Sequence, residues 1–66
     1  MRICNFTRLE ADYLQIACNF IDEESTLFEL RLRNVSIEDC AERMNISVPT
    51  VKRISQRVNR KIEREI

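Results

Sequence analysis

Between Ser47 and Arg64 the chain carries a run of hydroxyl, amide and cationic side chains whose chemistry is recognition of anions and base edges, not bond breaking. Ser47 and Thr50, placed beside a helix N-terminus, can hold phosphate oxygens through hydroxyl and backbone donors. Lys52, Arg53 and Gln56 suit base edges in a DNA major groove, where Arg or Lys pairs with guanine and Gln with adenine. Arg57, Arg60, Lys61 and Arg64 lie further along, where phosphate contact or plain solvation suits them better. Pro49 lacks the N–H that could otherwise serve a phosphate. Ser36, eleven residues before Ser47, is the candidate for the backbone on the other side. Each has a plainer role too. Ser36 and Ser47 are helix caps worth about 1 kcal/mol each, and exposed cations solubilise a helix.

Such side chains work only if a helix presents them. The twenty residues from Ile37 to Gln56, IEDCAERMNISVPTVKRISQ, have the pattern of a helix-turn-helix. Ala41 is the small residue where two helices touch, Asn45 follows four positions later at the turn, and Val51 and Ile54 close the second helix onto the first. Cys40, Met44 and Ile46 add side chains of buried type around the turn. A second helix held this way enters the major groove in proteins of this architecture.

Around that unit the spacing predicts an all-α fold, a four-helix bundle with its helix-turn-helix at the C-terminal end and one domain over 1–66. Thr7 caps a first helix, with Glu10 completing a capping box and Leu9, Tyr13, Ile16, Ala17 and Phe20 recurring on one side. Asp22 is the expected cap of a second, with Glu23 and Glu24 in its first turn and Leu27, Phe28, Leu30 and Leu32 as its apolar side. Arg31 and Arg33 end it, and are expected to pair with Asp39 or Glu42 or to complement the helix end. Ser36 and Ser47 cap the third and fourth. The chain contains no glycine. Asn34 and Asn45 therefore take the left-handed positions at helix ends, since Asn tolerates that region best after Gly.

The fourth segment carries one apolar stripe, Val48, Val51, Ile54, Val58, Ile62 and Ile66, along roughly 18 residues or about 27 Å at 1.5 Å per residue. That exceeds what groove reading needs. Val58, Ile62 and Ile66 either cover the first helix or form the seam of a homodimer, which would present two half-sites.

Sixty-six residues bury a small core, about 60% of the surface exposed on unfolding. A binding module is expected, not an enzyme, because there is no His, no glycine-rich loop and no plausible carboxylate pair. Cys4, Cys18 and Cys40 are odd in number without a CxxC, which speaks against zinc or a disulfide framework. No metal or cofactor is expected. Free buried thiols fit a reducing cytoplasm, and no apolar run is long enough for a signal peptide or a membrane span. Net charge is zero, yet residues 1–46 carry five basic and nine acidic groups, a balance of −4, and residues 47–66 six and two, a balance of +4. The positive portion coincides with the expected recognition helix.

With the helices placed, the segment from about Asp22 to Ile66 resembles the fourth conserved region of bacterial sigma-70-type factors and the LuxR-type output domain. FELRLRNVS at 28–36, then IEDCAERMNIS and VPTVKRI, carry the likeness. Asn34 and Asn45 stand where Gly is usual, and Asp39-Cys40 where Glu-Ile is usual. The whole chain is also similar to small stand-alone sigma-like proteins of Firmicutes and their phages. The resemblance implies a tetrahelical domain whose last helix docks in the major groove of double-stranded DNA, and it brings RNA polymerase in as a second partner. Regions that would bind the polymerase core or read the −10 element are not among these residues, so initiation by the chain alone is not expected. The expected function is sequence-specific transcriptional regulation. The alternative, motivated by the acidic first half, is an interaction module for RNA polymerase or a sigma factor that does not itself read DNA.

Overall fold

Capping chemistry sets where the helices begin. In the computed structural model, which describes residues 5–65, there are four α-helices: α1 (Arg8–Ala17), α2 (Asp22–Leu32), α3 (Ile37–Met44) and α4 (Val48–Glu65). Thr7 Oγ1 accepts from the Glu10 N–H at 3.2 Å while Glu10 Oε1 accepts from the Thr7 N–H at 2.8 Å, a complete capping box. Ser36 Oγ accepts from the Asp39 N–H at 3.2 Å. Before α2 the expected cap is displaced by one residue. Ile21 occupies the cap position, its side chain cannot accept a bond, and Glu24 Oε1 reaches back to the Ile21 N–H at 3.2 Å.

Helix ends are terminated by asparagine. Asn19, Asn34 and Asn45 have φ of 52°, 61° and 58°. After α2 the Asn34 N–H bonds the Arg31 carbonyl at 2.9 Å and the Val35 N–H the Leu30 carbonyl at 3.1 Å. After α3 the Asn45 N–H meets Glu42 O at 3.2 Å and the Ile46 N–H meets Ala41 O at 3.0 Å. Both are Schellman closures, in which the left-handed residue turns the chain so that two orphan carbonyls are satisfied.

The core lies where α1, α2 and α3 meet α4. Val51, Ile54, Val58 and Ile62 of α4 are buried with Leu27 and Phe28 of α2, Cys40 and Ala41 of α3, and Ala11 and Leu14 of α1 with the adjoining Cys18. Phe20 stacks against Phe28 in a tilted pair, centroids 5.1 Å apart. The described residues form a body of 28 × 19 × 18 Å with no strand. No described helix is long and apolar enough to cross a membrane.

This packing bears on three expectations. First, α1 buries Ala11 and Leu14 and leaves Leu9, Tyr13 and Ile16 exposed. The helix carries apolar residues on two sides, and periodicity alone cannot choose between them. Polar contacts with α2 line the side that faces inward: Gln15 Nε2 donates to Glu29 Oε1 at 2.7 Å, Ser25 Oγ to Gln15 Oε1 at 2.9 Å, and Arg8 Nη2 to Glu29 Oε1 at 3.4 Å. Arg8 and Gln15 flank Ala11 on the helix surface, so these bonds run along the edge of the buried Ala11 side. Second, of the two alternatives for the tail of α4, burial within the chain is the one found for Val58 and Ile62, each 0% exposed in a single chain; Ile66 lies outside the described residues. Third, of the two roles expected of Arg31 and Arg33, complementing the helix end is the one found for Arg31, in the last turn of α2, and neither residue pairs with Asp39 or Glu42. Arg31 Nη1 instead donates to the Val35 carbonyl, tying the end of α2 to the loop before α3.

Candidate nucleic-acid interface

The start of α4 is built around Ser47. Its Oγ lies 2.8 Å from Thr50 Oγ1 and accepts, at 3.4 Å, from the Thr50 N–H, while its carbonyl takes the Val51 N–H at 3.1 Å. Two hydroxyls are thereby held together at the positive end of an 18-residue helix. Pro49 is exposed within the first turn, where the absent N–H would have had no helical partner. The turn of Asn45, Ile46 and Ser47 sets α4 against α3, with Ala41 and Cys40 buried at the contact.

Lys52, Arg53, Gln56 and Arg60 follow Pro49 at steps of three and four and share its face of the helix. All four are exposed. None of the three cations is in an ion pair among the described residues, whose pairs are Arg8 with Asp12 and Glu29, Arg57 with Glu23 and Glu24, and Lys61 with Glu24. The buried stripe occupies the opposite side of α4, so among the described residues the core does not draw on this row. Ser36 is exposed at the start of α3 but is occupied in capping.

Arg57 is placed differently from its sequence neighbours. Its Nη2 lies 3.5 Å from Glu23 Oε1 and its Nε 3.4 Å from Glu24 Oε2. Lys61 Nζ lies 2.6 Å from Glu24 Oε1. These two cations, one turn apart, fasten the second half of α4 to the first turn of α2, and Arg57 is directed to that task. Glu24 is 2% exposed. Burial pushes its carboxyl pKa up, but the hydrogen bonds from Lys61 and the Ile21 N–H and the charges of Lys61 and Arg57 outweigh burial and hold it below the usual carboxylate range. Sequence inspection missed this junction. The available signal was a glutamate three residues after a cap position that cannot itself cap, opposite a Lys and Arg spaced four apart.

Of the thiols, Cys4 lies outside the described residues; burial raises the pKa of Cys18 and Cys40 and so favours their protonated form, and Cys40 Sγ points to the Val35 carbonyl at 3.8 Å. Comparison with protein-family models, curated proteins and solved structures gives no match.

Proposed function

We propose that this chain is a sequence-specific DNA-binding regulator of transcription that inserts the start of α4 into the major groove. The observation that carries the proposal is the row Lys52, Arg53, Gln56 and Arg60: exposed, on one helix face, with its three cations outside every ion pair among the described residues. Long cationic side chains left without acidic partners beside a helix N-terminus are suited to a polyanion with readable base edges. Ser47 and Thr50 position the helix through a phosphate, Lys52, Arg53 and Gln56 read bases, and Arg60 adds a phosphate contact further along. Arg57 contributes less, because binding DNA would cost it Glu23 and Glu24.

The test is selection of bound sites from a random DNA pool, followed by titration of the selected site. Lys52→Ala and Arg53→Ala are each expected to weaken binding by about 1–3 kcal/mol for a base contact, with melting temperature unchanged. Affinity should also fall steeply with salt. Undiminished binding by both variants would remove α4 from the groove.

A further inference from the structure

Among the described residues the large apolar side chains left exposed are Leu9 at 84%, Ile16 at 82% and Tyr13 at 59%, all on α1, and Ile21 at 50%, at the cap position of α2. Leu9, Tyr13 and Ile16 are spaced four and three apart, one stripe on the side of α1 turned away from the core. Beside it lies a hollow of about 540 Å³ lined by Phe6, Leu9, Glu10, Tyr13, Leu14 and Glu65. Its floor is apolar and its two charged lining residues are carboxylates. Asp12 stands on the other flank of the stripe, paired with Arg8 at 3.0 Å.

We infer that this face of α1 docks an amphipathic helix of another protein, with apolar residues at helical spacing and Lys or Arg on their flanks. Charge complementarity selects the occupant: Glu10 and Glu65 border the hollow without a cation in an ion pair with either among the described residues. A second copy does not fit. Its basic helix α4 has its apolar side buried in its own core, and its exposed large apolar residues among the described ones are the same acid-flanked stripe and Ile21. The stripe is also short, on a ten-residue helix about 15 Å long, whereas a stable interface engages about 20–30 residues a side. A helix laid into a groove, by contrast, is anchored by a few side chains one turn apart. The inference is independent of DNA binding by α4.

The experiment uses two fluorescent helical peptides in the absence of DNA, both with leucines at i, i+4 and i+7, one flanked by lysines and one by glutamates. The basic peptide is expected to bind the full chain at least tenfold more tightly than the acidic one, and less tightly as salt rises. The double variant Leu9→Ser/Ile16→Ser should lose at least tenfold in affinity for it while keeping its melting temperature, because both side chains are exposed. Amide shifts on binding should fall on α1. Equal binding of the two peptides, unimpaired binding by the double variant, or shifts confined to α4 would each overturn the proposal. So would sedimentation showing a dimer of the wild type that the double variant abolishes, which would give the stripe to a second copy.

Discussion

At the scale of single residues, asparagine does the work that glycine does elsewhere. Three helix ends need positive φ, and Asn19, Asn34 and Asn45 supply it in a chain without glycine. A β-branched side chain in that region is strained by about 1–3 kcal/mol. Asn45→Val should therefore lower stability to denaturant by about that much, while Asn45→Gly should be neutral or mildly stabilising; equal midpoints for the wild type and the valine variant would refute the turn assignment. Asn34 and Asn45 were legible because each follows the last apolar residue of a helical pattern. Asn19 was not, because the apolar spacing ran on through Phe20 and concealed the end of α1. Arg57 illustrates a second limit. Residue type alone cannot separate a cation facing DNA from one facing a carboxylate on another helix. Arg57→Ala should accordingly weaken DNA binding less than Arg53→Ala does, and lower stability more; matching losses of affinity with no loss of stability would reverse that assignment.

Among the elements, the α2–α4 junction is held by a buried charge. Glu24 is buried, caps the start of α2 and meets Lys61 and Arg57. Its pKa in the folded chain lies below the ordinary carboxylate value that it has in the unfolded chain. The stabilisation it gives is thus fully present above the unfolded pKa and is lost as pH falls through the folded one. Acid unfolding curves should show a loss of stability below about pH 4.3 that is shallower in Glu24→Gln. An acid limb of equal steepness in that variant would show that other carboxylates carry it. Lys61→Met removes one partner of a buried carboxylate and should cost about 1–3 kcal/mol at neutral pH. The helix starts at Thr7 and Ser36 could be foreseen from local sequence, since a cap is satisfied within three residues. The pairing of Glu24 with Lys61, 37 residues away, could not.

For the molecule as a whole, the decisive fact is which apolar surfaces meet. Val58 and Ile62 are consumed by the core of one chain, and Leu9 and Ile16 are left outside it. Ile62→Ala is therefore expected to cost about 2–5 kcal/mol, a large part of the stability of so small a domain. Leu9→Ala should change stability by less than about 0.5 kcal/mol. Calorimetry on the two variants checks both, and comparable losses would mean that α1 is turned the other way. Four helices, the caps at Thr7, Ser36 and Ser47, the buried stripe of α4 and the row of cations opposite it were determined by the sequence itself, because such caps and helical periodicity are satisfied over three to seven residues. Which side of α1 faces inward, whether the tail of α4 belongs to the core, and which cations are left free were decided only by tertiary structure. Those outcomes depend on partners tens of residues distant, and local spacing carries no information about them.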